Sequence, residues 1–444
     1  MKNKYFIFNG LRITLFGLLL LLISALLPAA EEALSLEQAV QLALSRNERA
    51  LAAGEQLAFA QARLAQARAY FFPTLSFTGD YIRRPNAVER EIGGQSITVQ
   101  SLNALAGYLT LDLSLFDPAA IPAYRQALME TRAQRFSSSE SRRQLSFEVA
   151  SAFLSTLTME QVLEAATHRF NYAASILAAA RARFAAGLVS VNDVTRAELE
   201  FATAEMARTQ MQGQVETAYL QLGYLLDQDV PEKLLPPEKL LAEAELEPGT
   251  PGEMLPLARE MRLDLRALSW HAKAQKALAL EPSLSWLPSL NLTGLYRYTN
   301  ESGLSGKSTN WSVTLEMYWP LFDGLKRVGR LQERKAQAAL AELDLRGAER
   351  KLELDVRDAL VSLSNQQASL KKALVALDAA RRNAAEIAEL YRQGLSNALQ
   401  VADANVSLFE AEVELARQRS GLAVALLNLR AARGLDPFGK EPLS

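Results

Sequence analysis

Between Ala123 and Ala186 the chain runs for 64 residues without a glycine or a proline. With 22 glycines and 16 prolines in 444 residues, about five would be expected in a stretch of that length. Ala, Leu, Glu, Gln and Arg dominate the run, all strong helix formers. At 1.5 Å per residue a helix over 119–186 would be roughly 100 Å long. A second run, 325–393, is interrupted only by Gly329 and Gly347 and predicts a helix of similar length. Helices this long need partners to bury their apolar stripe. In the first, Leu145, Val149, Phe153 and Leu157 recur at a spacing of four. Returning helices expected over about 194–226 and 401–432 supply partners within the chain. An ordinary antiparallel coiled coil would satisfy all of this, so the rest of the sequence must decide.

Four candidate strands lie at about 75–83, 107–116, 289–298 and 310–319. In "NWSVTLEMYW", Trp311, Val313, Leu315, Met317 and Trp319 share one face and Ser312, Thr314, Glu316 and Tyr318 the other. In the second strand Leu109, Leu111, Leu113 and Leu115 alternate with Tyr108, Thr110, Asp112 and Ser114. A soluble sheet would bury the apolar face, whereas a membrane barrel would turn it to lipid. All four strands are near ten residues, the span of a tilted transmembrane strand, against five or six for an average soluble one. The joining stretches "RPNAVEREIGGQSITVQSLNALA" and "NESGLSGKST" are polar and read as hairpin loops. Four strands cannot close a barrel. Eight, from two chains, would be filled by their own side chains, and twelve, from three, leave a lumen. Asp112, Glu316, Arg297 and the hydroxyl residues want water, so twelve strands from a homotrimer is the consistent count. Leu109, Leu111, Leu113, Trp311, Val313 and Leu315 are then expected to face lipid.

The strands and long helices occur twice in the same order. "PTLSFTGDY" from Pro73 returns as "PSLNLTGLY" from Pro288, "LFD" at Leu115 returns at Leu321, and "FAAGL" at Phe184 returns as "YRQGL" at Tyr391. The offsets are 215, 206 and 207 residues, which argues for two copies of one unit. We therefore expect a first repeat over 31–226 and a second over 257–434, each running helix, strand, strand, long helix, turn, helix. Residues 227–256, rich in proline, read as an irregular connection with short helical pieces, with a flexible linker as the alternative. A short tail, 435–444, follows.

The first thirty residues read as an export signal. Lys2, Lys4 and Arg12 precede an apolar stretch from Ile13 to Leu27, and Pro28, Ala29 and Ala30 are small. An uncleaved anchor is the alternative. Loss of that segment takes the formal net charge from −2 to −5, which gives no reason to expect nucleic acid. The chain has no cysteine, which excludes disulfides, a thiol nucleophile and thiolate metal sites. His168 and His271 lie inside helical sequence, outside any triad or metal-ligand spacing, and no phosphate-binding glycine pattern appears. Neither an enzyme nor a cofactor is expected.

The pattern resembles the TolC-like outer membrane efflux protein family. The resemblance rests on "LSLEQAVQLALSRN" (Leu34 to Asn47), the Pro-x-Leu strand entries at Pro73 and Pro288, the exits "LFDPA" and "LFDGL", and "RFAAGLVSVNDVTRAELEF" (Arg183 to Phe201). It implies an α+β membrane protein: a trimeric twelve-stranded outer-membrane β-barrel, four strands per chain, continuous with a long α-helical coiled-coil barrel in the periplasm. It also implies an exit duct serving tripartite efflux pumps or type I secretion systems, with a periplasmic adaptor and an inner-membrane transporter docking at the helix tips. The tips would be the turns at Gly187, Leu188, Gly394 and Leu395, for which plain helix C-caps are the alternative. The family's closed entrance uses a Tyr three residues before the second tip glycine and an Asp six after the first, matching Tyr391 and Asp193. Its Arg two residues after the second glycine is Ser396 here. Its aspartate ring carries over as Gln400 and Asp403, so half the ring charge is lost. A helix-packing aromatic for Tyr391 and a solvated N-cap residue for Asp193 are the structural alternatives. A non-channel periplasmic coiled-coil adaptor or a surface scaffold is the competing functional reading. It would be extractable without detergent.

Overall fold

A computed structural model describes residues 33–230, 233–301 and 307–441. The expected signal (1–30) and the centre of the second hairpin loop, 302–306, lie outside the described residues. Ser35 opens α1 (Leu36–Arg46) with a reciprocal cap. Its hydroxyl accepts the Gln38 N–H at 3.3 Å, and the Gln38 carboxamide accepts the Ser35 N–H at 2.9 Å. The expected single first helix is in fact two. Asn47, with ψ 133°, leaves helical geometry and donates from Nδ2 to the Leu225 carbonyl at 3.1 Å, and α2 (Glu48–Ala69) starts at once behind it. The buried carboxamide competes with the helical backbone for hydrogen bonds, a choice that composition does not reveal.

Next come β1 (Thr74–Arg83), β2 (Val88–Ile92), β3 (Gln95–Gln100) and β4 (Asn103–Phe116). The stretch expected as a plain polar loop thus carries its own antiparallel hairpin, β2–β3. Gly93 and Gly94 turn it with φ of 64° and 81°, the paired left-handed residues that a tight hairpin needs. Polarity marks this segment as solvent-facing, but it does not make it irregular.

The first long helix, α3 (Ala120–Ala185), is followed by α4 (Val191–Leu226), α5 (Glu238–Ala244), α6 (Pro251–Met261), α7 (Leu263–Leu278) and α8 (Glu281–Leu284). The chain continues with β5 (Ser289–Thr299), β6 (Thr309–Tyr318), α9 (Lys326–Arg392) and α10 (Ala398–Ala432). Trp319, expected in the last strand, lies just past its end and donates from Nε1 to the Trp286 carbonyl at 3.0 Å. The repeated "LFD" has a physical role. Asp117 Oδ1 accepts the Ala119 N–H at 3.0 Å, and Asp323 Oδ2 accepts the Arg327 N–H at 3.0 Å, so each aspartate secures the start of a long helix. The proline-rich connection is held at several points: Leu34 and Leu234 form a bridge, and Gln367 Nε2 donates to the Ala244 and Leu246 carbonyls at 2.9 and 2.8 Å.

Compactness does not divide along the two halves. One unit comprises the chain up to Asn47, Ser146–Glu247 and Leu363–Leu426. The other comprises Glu48–Leu145, Pro248–Ser362 and the chain from Leu427 onward. Both long helices contribute to both units. The first unit is all helix and packs small side chains, with Leu177, Ala180 and Ala197 buried against Ile176, Val194 and Phe201. The second holds the four-stranded antiparallel sheet, in the order β1-β4-β5-β6, so the two halves pair through β4 and β5. A buried Glu140–Arg143 ion pair also lies there, with Arg143 Nη1 donating to the Ala431 and Leu435 carbonyls at 3.2 and 3.0 Å at the end of α10.

Candidate functional site

The sheet register sorts the strand residues into two faces. Phe77 pairs with Leu109, Leu109 with Tyr296 and Tyr296 with Trp311. One step along, Leu75, Leu111, Gly294 and Val313 form a second row. Leu113, Leu292 and Leu315 form a third. The residues expected on the apolar face therefore make one continuous surface across the four strands. Trp311, Val313 and Leu315 are 72%, 62% and 63% exposed, and Leu109 and Leu111 are exposed as well, while Leu113 is half-buried. Among the described residues no element covers β6, whose ten residues are all exposed.

The opposite face is polar. Thr74, Asp112, Thr293 and Thr314 form one row, in which Thr293 Oγ1 donates to Asp112 Oδ1 at 2.9 Å. Thr78, Tyr108, Arg297 and Asn310 form another, with the Arg297 guanidinium carbon 5.6 Å from the Tyr108 ring centroid. The apolar exceptions on this face are Leu295, between Thr110 and Ser312, and Ile82, Ala104 and Ala106 near one end.

At the other end of the long helices both tips close in the same way. Gly187 (φ 71°) donates its N–H to the Phe184 carbonyl at 2.9 Å, and Leu188 donates to Arg183 at 2.9 Å. Gly394 (φ 76°) and Leu395 do the same to Tyr391 at 3.1 Å and Leu390 at 2.8 Å. This six-residue reverse turn requires a left-handed residue, which is why glycine stands at both positions. Leu188 and Leu395 project from the turns and are 74% and 72% exposed.

Asp193 lies three residues past Ser190, and its Oδ2 accepts the Ser190 N–H at 3.2 Å and hydroxyl at 3.0 Å. Gln400 plays the same part after Asn397, its Oε1 accepting the Asn397 N–H at 3.3 Å and the Ser396 hydroxyl at 2.8 Å. Both are thus placed as caps of the returning helices. Asp403, one turn further along, is exposed. Tyr391 is buried beside Tyr172, Ile176 and Ile387, and its hydroxyl has no hydrogen-bond partner among the described residues. The structure does not bring Tyr391 and Asp193 together as partners. It does bring Arg183 to Tyr391, a contact the sequence reading did not single out. The signal was present in the comparison of the two tips, where Arg183 aligns with Leu390.

Arg169 joins α3 to α4 by a two-pronged pair with Glu200, at 2.9 and 3.1 Å. Among the described residues no cluster of three or more His, Asp or Glu could hold a metal ion. No helix of the described residues is long and apolar enough to cross a membrane.

A family model described as outer membrane efflux protein matches residues 39–227 and 254–435. The chain is 26% identical over 315 residues to protein CyaE of Bordetella pertussis, across 70% of this chain and 65% of CyaE. It is 30% identical over 263 residues to outer membrane protein OprJ of Pseudomonas aeruginosa, across 57% of this chain and 53% of OprJ. The matched region therefore spans somewhat over half of OprJ and just under two thirds of CyaE. Among solved structures, the outer membrane channel CmeC of Campylobacter jejuni matches with a TM-score of 0.78 at 16% identity, over 92% of this chain and 87% of CmeC.

Proposed function

This chain belongs to the outer membrane efflux protein family, and from that premise we propose that three copies close one twelve-stranded barrel in the outer membrane. Its helical part forms a tunnel in the periplasm, and the assembly is the exit duct of a tripartite efflux pump or a type I secretion system. The observation that carries this reading is the sheet. It has one continuous apolar face, one polar face and two edges, β1 and β6, that are exposed along their whole length. Exposed edges of this length are unstable in isolation and call for pairing. Because all three pairings are antiparallel, β1 and β6 run in opposite directions, so β6 of one copy meets β1 of the next in antiparallel sense. Closure is then free of mismatched strands. Three copies leave a lumen wide enough to hydrate Asp112, Glu316 and Arg297.

The tips at Gly187, Leu188, Gly394 and Leu395 are the docking points for a periplasmic adaptor, which connects the duct to an inner-membrane transporter. Tyr391 and Asp193 belong to the closed entrance, and Asp403, with Gln400 in the place of a second carboxylate, sets its cation preference.

The test is membrane fractionation with crosslinking of the purified protein. The expected result is an outer-membrane species that needs detergent for extraction and crosslinks as a trimer. Release by high salt or alkali without detergent would point instead to a periplasmic adaptor or scaffold.

A further inference from the structure

The two tip turns differ at the position that decides how they are tied together. Aligned on their glycines, Arg183 stands where the second tip has Leu390, and Phe184 stands where it has Tyr391. Both helices end through the same pair of backbone bonds, so the arginine is not required to stop its own helix. It reaches across to the other one. Arg183 Nη1 donates to the Tyr391 carbonyl at 2.9 Å, and Nη2 donates to the Arg392 carbonyl at 3.1 Å. Its guanidinium carbon lies 4.5 Å from the centroid of the Tyr391 ring. The two acceptors are the last carbonyls of the 67-residue α9, which carry the negative end of its dipole. A planar fork with fixed charge matches two adjacent carbonyls and an aromatic face, whereas a lysine does not. The cation that α9 itself places there, Arg392, is paired with Glu389.

We propose that Arg183 is a positioning residue that couples the two tips. It holds the last turn of α9, and Tyr391 with it, against the end of α3, so that both tip turns move as one body when the entrance opens. The functional half of this proposal rests on the duct reading. The clamp itself does not.

Two measurements on the full chain in detergent separate them, using the wild type, Arg183→Lys and Arg183→Gln. In amide hydrogen exchange, residues 388–397 should exchange on the order of tenfold faster in Arg183→Gln, with Arg183→Lys intermediate. Residues 130–150 should be unchanged. Equal exchange at 388–397 in all three proteins overturns the clamp. In planar bilayers, single-channel conductance should rise in the order wild type, Lys variant, Gln variant. Because the chain has no native cysteine, a thiol crosslink between Leu188→Cys and Leu395→Cys in the Arg183→Gln background should return conductance to the wild-type level. Faster exchange with unchanged conductance overturns the coupling. If the wild type forms no pore, the duct reading fails, and the exchange result still decides the clamp.

Discussion

Tyr391 is buried, yet its hydroxyl finds no hydrogen-bond partner among the described residues. An unsatisfied buried hydroxyl costs about 1–3 kcal/mol. In the proposed closed entrance this hydroxyl would turn out of its pocket toward Asp193 of a neighbouring copy, and three such bonds would hold the entrance shut while yielding to a docked protein. Tyr391→Phe and Asp193→Ala should each raise single-channel conductance, and the double variant should add little to either. Asp193→Ala also removes a cap worth about 0.5–2 kcal/mol, so trimer yield is measured alongside. Asp403→Ala should leave conductance gating alone and reduce cation selectivity. Equal conductance in Tyr391→Phe, Asp193→Ala and wild type would sink the gate assignment and leave the fold standing. At the other extreme of the helices, the His271 ring nitrogen lies 3.0 Å from the Glu130 carboxylate, and that hydrogen bond raises the imidazole pKa above its ordinary 6.5. With its folded value raised, the group stabilises the native state fully below pH 6.5 and loses that contribution as pH rises through the folded pKa. A histidine NMR titration should place His271 above 6.5, and Glu130→Gln should lower its pKa. An unmoved pKa in that variant would remove the pair as the cause.

At the scale of the element, the strands carry the sharpest contrast. Their two faces differ by one residue of register, so two neighbouring positions on β6 meet opposite media. Val313→Arg, or Leu111→Arg on β4, should cost about 2–4 kcal/mol near the bilayer midplane and should lower the yield of detergent-resistant trimer. Ser312→Arg should fold and insert near normally while changing conductance. If membrane-insertion assays found Ser312→Arg and Val313→Arg equally tolerated, the assignment of faces would be wrong. The long helices behave differently. Their length follows from what is absent, glycine and proline, whereas their ends are set by single residues: Asp117 and Asp323 at the start, Gly187 and Gly394 at the finish.

For the whole molecule, the helices leave apolar residues exposed at multiples of seven, with Gly213, Gly347 and Ala368 at the positions skipped. On α4 these are Leu199, Met206 and Leu220, and on α9 they are Leu340, Leu354, Val361 and Val375. Apolar residues kept in one heptad frame suit a helix that packs along a neighbour. Among the described residues of one chain nothing covers these positions, and the proposed trimer would supply the cover. Leu220→Glu and Leu354→Glu should each reduce the fraction that crosslinks as a trimer while helicity by circular dichroism stays near wild type. Unchanged trimer yield in both would place these stripes outside the assembly contacts.

Much of this architecture is local and therefore readable along the chain. A missing helix breaker, a two-residue alternation and a repeated tripeptide each act through neighbours in sequence. They account for the long helices and the four main strands. The fully buried Leu145, Val149 and Phe153 follow from their spacing in the same way. What the sequence left undetermined depends on groups that are distant along the chain. The alternation of each strand was visible, but the pairing of β4 with β5, between residues 174 to 193 apart, decides that four apolar stripes become one surface. The second hairpin in a polar loop needed the backbone geometry of Gly93 and Gly94. The break at Asn47 needed the Leu225 carbonyl, and the role of Arg183 needed the end of α9 brought within 2.9 Å. Periodicity reports which face a residue occupies, because side-chain direction is set by its own backbone. It carries no information about which remote carbonyl will meet that face, and folding alone brings the two together.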